Sequence, residues 1–147
     1  MEPFFQEFRA RWSDMDFNQH MRNAAFLGCS EETRMRFMDA NGWSMEEFTR
    51  RRLGPVVLED RLIYKQEIRL LERFEVDLAI AAATEDVRRM RVRNRFLRSA
   101  DGTLCATVES VVMWFDLDAR KTVPPPPELR ALWLVVPRTD DFVSWGV

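Results

Sequence analysis

Histidine and cysteine, the residues from which metal centres and disulfide frameworks are built, are scarce in this chain of 147 residues. The one histidine is His20, and the two cysteines, Cys29 and Cys105, lie far apart in the sequence. A zinc site needs several such ligands at close spacing, and a disulfide framework needs more cysteines. We therefore expect no metal site and no disulfide, with both cysteines as small buried hydrophobic residues in a reducing compartment.

Long apolar runs and an excess of one charge are also absent. No stretch approaches the roughly 20 apolar residues of a membrane-spanning helix. The first residues, MEPFFQEF, lack the apolar core of a signal peptide. The net charge of -2 provides neither a general nucleic-acid surface nor an acidic tail. These absences predict a cytoplasmic protein that binds neither membranes nor nucleic acids.

The composition that is present is typical of a globular protein, with 46% hydrophobic and 31% charged residues. A chain of this length can bury a core without disulfides or metals. It is also close to the commonest size of a single domain, so we expect one domain over residues 1–147.

One long helix is predicted near the amino terminus. Aromatic residues at 4, 5 and 8 indicate a short first strand, and residues 12–22 are polar and predict a loop. A helix is expected from Asn23, a candidate cap, to Ala40, before the helix-stopping pair Asn41-Gly42. The helix is apolar over much of its circumference, so other elements are expected to wrap around it.

After residue 54 the hydrophobic period changes from helical to two. Strands are predicted at residues 56–67, 74–82, 90–96 and 104–115, with a hairpin turn at Asp101-Gly102. Short helices are expected within residues 43–53 and at 128–134, the second after a run of four prolines. The predicted fold class is α+β, an antiparallel sheet curled around the long helix.

The loop before the long helix carries a recognisable motif. Residues 11–27 have the sequence RWSDMDFNQHMRNAAFL, and the helix continues with Glu31-Glu32-Thr33-Arg34. The aspartate, the histidine four residues later and the asparagine before the helix resemble the signature of hotdog-fold thioesterases. The family meant is the 4-hydroxybenzoyl-CoA thioesterase-like family, including its acyl-CoA thioesterases. The resemblance covers residues 5–130.

This resemblance implies a hotdog fold and the hydrolysis of an acyl-CoA thioester without a cofactor. Asp16 would be the nucleophile or the general base, and an N–H group of Asn23 or of a neighbour in the first helical turn would polarise the thioester carbonyl. His20 would orient the loop. Arg22 and Phe26 depart from the family pattern, where Asn and Tyr are common, and are candidate substrate-binding residues.

Other roles remain open for several charged residues. Asp14 competes with Asp16, although both could simply hold the loop together. Glu31 or Glu32 could be catalytic, since another hotdog branch uses a helix glutamate. We favour ion pairs instead, Glu32 with Arg36 or Glu31 with Arg34. The row of arginines at 91, 93 and 95 could meet CoA phosphates or lie on a solvated outer face.

Two other functions are compatible with this fold. One is a non-catalytic module that binds acyl-CoA or an acyl carrier. The other is acyl-group dehydration, which is disfavoured because His20 lies in the loop and not on another element. The family also implies a homodimer with a continuous sheet, or a homotetramer, with the active site between protomers.

Overall fold

The computed structural model describes residues 2–147. Its helices are α1 (Asn23–Ala40), α2 (Met45–Arg51) and α3 (Pro127–Leu134), and a 3-10 turn covers Trp12–Asp14. Its strands are β1 (Phe5–Arg9), β2 (Leu53–Tyr64), β3 (Arg73–Asp77), β4 (Ala79–Ala83), β5 (Arg89–Arg98), β6 (Leu104–Asp116), β7 (Lys121–Thr122) and β8 (Arg138–Ser144).

The long helix α1 has the predicted bounds, but Asn23 is not its cap. Arg22 occupies the cap position with an extended backbone, and no side chain caps the helix. The N–H of Arg22 donates to the carbonyl of Asp14 at 2.8 Å, which keeps residue 22 outside the helix. Asn23 is therefore the first helical residue, and the first turn lacks the side-chain acceptor that the sequence had led us to expect.

The sheet is a single eight-stranded layer in which β2 pairs with β6, β6 with β5, and β5 with both β3 and β4. Beyond β5 the sheet continues along two branches, in which β1 pairs with β3 and β8 pairs with β4. The sheet is antiparallel as predicted, except for the parallel pair β4 and β8. β2 pairs with β6 alone and is an edge strand.

The strand predicted at residues 74–82 is two strands that break at Leu78. Asp77, the last residue of β3, is buried. Its carboxylate accepts hydrogen bonds from the backbone N–H and the Nε of Arg95, both at 2.6 Å. Its carbonyl accepts a hydrogen bond from Nδ2 of Asn94 at 2.7 Å. The carboxylate and the carbonyl of Asp77 are thus both occupied by Arg95 and Asn94 of β5. For this reason the regular backbone pairing between strands is interrupted at Leu78.

The strands β7 and β8 were not predicted. The sequence of β8, RTDDFVS, shows no clean alternation of apolar and polar residues, so no period marks it. By contrast, the hairpin at Asp101-Gly102 and the short helices α2 and α3 are confirmed. Gly102 has the positive φ of 72° that its turn requires.

Two aromatic clusters fill the space between α1 and the sheet. One includes Phe37, Trp114 and Trp133, and the other includes Phe26, Phe74 and Phe96. Within residues 2–147, no helix is long and apolar enough to cross a membrane.

Candidate active site

The loop between β1 and α1 forms a tight turn around Asp16. The N–H of Asp16 donates to the carbonyl of His20 at 2.7 Å. The Oδ1 atom of Asp16 accepts the N–H groups of Asn18 at 2.8 Å and of His20 at 3.1 Å. Gln19 closes the turn with a positive φ of 63°. The carboxylate of Asp16 is therefore exposed yet held in a defined orientation by the backbone.

Asp14, two residues earlier, is in a different environment. It is buried, and its carboxylate accepts the backbone N–H of Arg11 at 2.9 Å and the Nη2 of Arg11 at 3.1 Å. Burial alone would raise the pKa of Asp14, but the hydrogen bonds and the charge of Arg11 outweigh it, so the pKa is lowered. Asp14 is a structural acceptor that fixes the loop, as one of the two sequence interpretations proposed.

The opening turn of α1 follows this loop directly. Ala25 donates its N–H to the carbonyl of Arg22 at 3.0 Å, and no side chain caps the N–H groups before it. An uncapped helix start presents free donors and a partial positive charge. Asn23 is exposed at the first position, and the exposed Arg22 adds a cation beside it.

The other two predicted site residues, His20 and Phe26, are less exposed to solvent. His20 is half-buried, and its backbone forms a bridge with Arg69. Phe26 is buried and its ring contacts Tyr64 and Phe96, with centroids 5.3 and 5.2 Å away. The predicted role of Phe26 in substrate binding therefore has little side-chain surface to use, and it stays a prediction.

A buried polar network that the sequence did not predict crosses the middle of α1. The Nη1 of Arg34 donates to Ser30 Oγ at 2.9 Å, to Ser110 Oγ at 3.2 Å and to Asn94 Oδ1 at 3.3 Å. Ser110 in turn donates to Asp60 at 2.6 Å. Two features of the sequence could have indicated part of it, namely Ser30 and Arg34 one helical turn apart and the polar residue Asn94 among the buried positions of β5.

Burial also governs the charge of Arg34. It lowers the pKa of the guanidinium, while the charges of Asp60 and Glu31 act in the opposite direction. The predicted ion pair of Glu31 with Arg34 does not form, because Arg34 turns inward to the network. The alternative pair is present, with Arg36 and Glu32 2.9 Å apart.

Beside Arg34 an apolar cavity of about 380 Å³ opens between α1, α2 and β2. Its walls include Met35 and Met38 of α1, Phe48 of α2 and Trp133 of α3. Arg34 and Glu31 supply its charged groups. The cavity has the size and lining of a site for an apolar group with a polar end.

The outer arginine row is fully engaged within the protein. Arg93 contacts Glu109 at 3.2 Å and Asp141 at 2.9 Å. Arg95 pairs with Asp77, and Arg91 lies over the ring of Trp145, 5.2 Å from its centroid. These arginines hold the outer face together through contacts within the chain, and a role in binding CoA phosphates stays a prediction.

Neither cysteine has the character of a nucleophile. Cys29 and Cys105 are not disulfide-bonded. Burial, with smaller contributions from Asp14 and Glu32, raises the pKa of Cys29 to about 12. Burial also raises the pKa of Cys105. In residues 2–147, no group of three or more His, Cys, Asp or Glu side chains could hold a metal ion.

Comparison with known proteins shows where this arrangement belongs. The family model of the Thioesterase-like superfamily matches residues 10–133. The chain is a member of that superfamily, and its sheet wrapped around α1 is the hotdog fold. No curated protein matches the sequence.

Several solved structures share the fold at low sequence identity. A Staphylococcus aureus protein solved in complex with CoA is 22% identical with a TM-score of 0.84, over 98% of this chain and 89% of that one. A 1,4-dihydroxy-2-naphthoyl-CoA thioesterase from Synechocystis is 15% identical with a TM-score of 0.81, over 91% and 97%. A gentisyl-coenzyme A thioesterase is 15% identical with a TM-score of 0.75, over 89% and 99%.

Proposed function

We propose that this protein hydrolyses an acyl-CoA thioester to a free acid and CoA. The observation that carries the proposal is the exposed, oriented carboxylate of Asp16 in the loop that leads into an uncapped helix start at Asn23. Membership of the Thioesterase-like superfamily supports the same chemistry, as do a similar structure solved in complex with CoA and another that is a CoA thioesterase.

The opening turn of α1 supplies electrophilic activation. Attack on a thioester places negative charge on the carbonyl oxygen, and free N–H groups at a helix start stabilise that charge. One such donor contributes roughly 10²–10³ in rate. The N–H of Asn23 or of Ala24 fills this role, and Arg22 adds a nearby positive charge.

Asp16 supplies the base or the nucleophile. Both turn hydrogen bonds fall on its Oδ1, so Oδ2 is the oxygen left to act. As a base it takes a proton from the water that attacks the thioester carbon. As a nucleophile it forms an acyl anhydride that water then opens. In both routes CoA leaves as a thiolate and is protonated by a proton that comes from the water consumed in the hydrolysis, and no cofactor takes part. His20 helps to set the turn through its backbone.

A second copy of the chain is proposed to complete the site. The edge strand β2 exposes four large apolar side chains, Val57, Leu58, Ile63 and Tyr64. Phe17, next to Asp16, is fully exposed. Exposed strand edges and apolar patches are commonly covered by association. Pairing of two β2 strands would give a homodimer with a continuous sheet, and pairs of dimers would give the tetramer.

The proposal is tested with a panel of aliphatic and aromatic acyl-CoAs, with release of CoA followed by a thiol-reactive dye. We expect turnover of at least one thioester, and a loss of about tenfold or more for Asp16→Asn. Asn can still accept the two turn hydrogen bonds, so the fold and the oligomer should be unchanged. Asp39→Asn, which removes an exposed carboxylate from the end of α1, serves as the control and should retain full activity.

The second candidate is an acyl-CoA binding module without turnover. Its prediction differs in one respect, since acyl-CoA would bind while no thioester in the panel was cleaved. Cleavage that Asp16→Asn leaves unchanged would instead keep the enzyme and remove Asp16 from its mechanism.

A further inference from the structure

The apolar cavity lies beside the second half of α1, and the proposed reaction centre lies at the start of the same helix. Phe26, in the first turn of α1, contacts Tyr64 at the end of β2. The cavity joins later residues of α1, such as Met38, to the start of β2 at Leu53. α1 and β2 therefore run side by side in opposite directions. Arg34 follows Asn23 by 11 residues, which is roughly 16 Å along a helix axis.

Arg34 lines this cavity, and two of its three guanidinium nitrogens donate no hydrogen bond within the described residues. The residue is 93% buried, being 7% exposed. All three of its hydrogen bonds start from Nη1. Nε and Nη2 donate to no atom of residues 2–147, and neither is sealed inside the protein. Because Arg34 lines the cavity, these free donors are available to whatever occupies it.

Trp133 also carries a donor without a partner. Its ring lines the same cavity, and its indole N–H is buried with no hydrogen-bond partner in the described residues. Buried donors without a partner are rare in folded proteins and carry a desolvation cost. Because this N–H has no accessible surface, it is closed to an occupant of the cavity, and the donors available to such an occupant are those of Arg34.

The surrounding charges indicate what kind of oxygen fits. Glu31 lies on the cavity wall, and Asp60 is connected to Arg34 through Ser110. Both carboxylates already act on the guanidinium electrostatically. A second anion beside Glu31 would be repelled, so a neutral acceptor is favoured.

Resting on the proposed thioesterase function, we propose that Arg34 is a specificity-determining residue that selects acyl groups with a neutral oxygen near their far end. In this proposal the thioester lies at the start of α1, the acyl chain runs along α1 to the cavity, and a hydroxyl or keto oxygen accepts the free N–H groups of Arg34. With carbon–carbon bonds of about 1.5 Å in a zigzag, roughly 12 to 14 carbons span the distance.

Three thioesters of equal length test this proposal, namely dodecanoyl-CoA, 12-hydroxydodecanoyl-CoA and the thioester of CoA with one carboxyl of dodecanedioic acid. We expect kcat/KM for the hydroxylated substrate to exceed that for dodecanoyl-CoA by about tenfold or more, because a site built to bind a hydroxyl rejects the analogue that lacks it. The ω-carboxylate substrate should fall below the hydroxylated one.

The variant Arg34→Met should abolish this preference. Methionine keeps an unbranched apolar side chain, and the contacts of Ser30 with Asn94 and of Ser110 with Asp60 do not need Arg34. Butyryl-CoA, too short to reach the cavity, reports whether the variant keeps a working reaction centre. Arg36→Met removes an exposed cation from the same helix and should leave the preference intact.

Equal kcat/KM values for the hydroxylated and plain substrates in the wild type would overturn the proposal, as would a preference that survives Arg34→Met. Binding of the same thioesters, followed by quenching of the tryptophans that line the cavity, gives a readout that needs no turnover. If no acyl-CoA is hydrolysed, the proposed function fails. The hydroxyl preference in binding, and its loss in Arg34→Met, then still decides the role of Arg34.

Discussion

The two surfaces of the sheet treat their charged groups in opposite ways. On the outer face, Arg93 and Arg95 each bind carboxylates at close range, and Arg91 covers an aromatic ring. On the inner side, two nitrogens of Arg34 in α1 donate to nothing in the described residues, and in the loop before α1 the carboxylate of Asp16 is exposed.

This difference indicates which charged groups stabilise the fold and which are available to a substrate. A charge that is matched within the chain stabilises the fold modestly and has little capacity left for a ligand. An oriented polar group without a partner costs free energy in the folded protein, and that cost is recovered when a substrate supplies the partner. Substitutions at the start of α1, at Asp14, at Arg93 and at Cys29 test this division in decreasing order of effect.

The largest effect is expected from removing one N–H at the start of α1. Proline is tolerated at the first helical position, and the extended backbone of Arg22 (φ -76, ψ 159) is what a residue before proline prefers. Asn23→Pro should therefore keep the helix but lower kcat by roughly 10²-fold if this N–H polarises the thioester. The measurement is the rate of CoA release.

Asn23→Ala is the matched control for that experiment, since it removes the side chain and keeps the N–H. It should stay within a few-fold of the wild type. An equal loss in both variants would assign the effect to the amide side chain, and no loss in Asn23→Pro would move the donor to another residue.

A smaller effect, on stability, is expected at Asp14. Asp14→Asn should lower the free energy of unfolding at neutral pH by about 1–3 kcal/mol, because the buried acceptor of Arg11 loses its charge. The pKa of Asp14 is lowered in the folded protein, so its contribution is present above its ordinary pKa of 3.8 and is lost as the pH falls through the folded value. Urea unfolding of both proteins at several pH values measures this. A difference that grows towards acid pH would contradict it.

On the outer face the expected change is smaller still. Arg93→Met breaks contacts to Glu109 and Asp141 and should cost about 1 kcal/mol, or roughly 2–4 °C in Tm. Thermal unfolding measures the loss. Because this face is assigned no role in catalysis, kcat/KM for acyl-CoA should equal that of the wild type, and a clear fall would give the outer arginines a part in substrate binding.

The smallest effect is expected at Cys29. With a pKa raised to about 12, its thiol is almost entirely protonated near neutral pH and reacts slowly with alkylating agents. Treatment with iodoacetamide at pH 7.5 should leave the activity unchanged, and Cys29→Ser should behave as the wild type does. Rapid alkylation of Cys29 with loss of activity would show that the thiol is more accessible and reactive than its burial implies.

Much of the fold was predictable because its signals are local. The bounds of α1 follow from helix formers between a polar loop and Asn41-Gly42, and the alternation in β5 and β6 identifies two paired strands. β8 escaped prediction because its place beside β4 depends on a long-range parallel pairing and not on its own pattern. Likewise, the break at Leu78 depends on Arg95, 18 residues after Asp77.

The candidate site was predictable in part. The loop motif identified Asp16 and the start of α1 as candidates. Only the structure shows that Arg22 occupies the cap position and that hydrogen bonds within the turn orient the carboxylate of Asp16. The network of Arg34 could not be predicted in full, because Asn94 and Ser110 are 60 and 76 residues away in sequence. A pattern of residue types does not show which donors remain unpaired after folding.

The proposed mechanism requires Asp16 to lie close to the opening turn of α1 in the assembled protein. A crystal structure of the oligomer with a non-hydrolysable acyl-CoA analogue measures this distance directly. We expect a carboxylate oxygen of Asp16 at about 3–3.5 Å from the reacting carbon, or separated from it by one water, with the carbonyl oxygen on the N–H groups of the first helical turn. An analogue bound elsewhere, with Asp16 of every subunit turned to solvent, would contradict the mechanism.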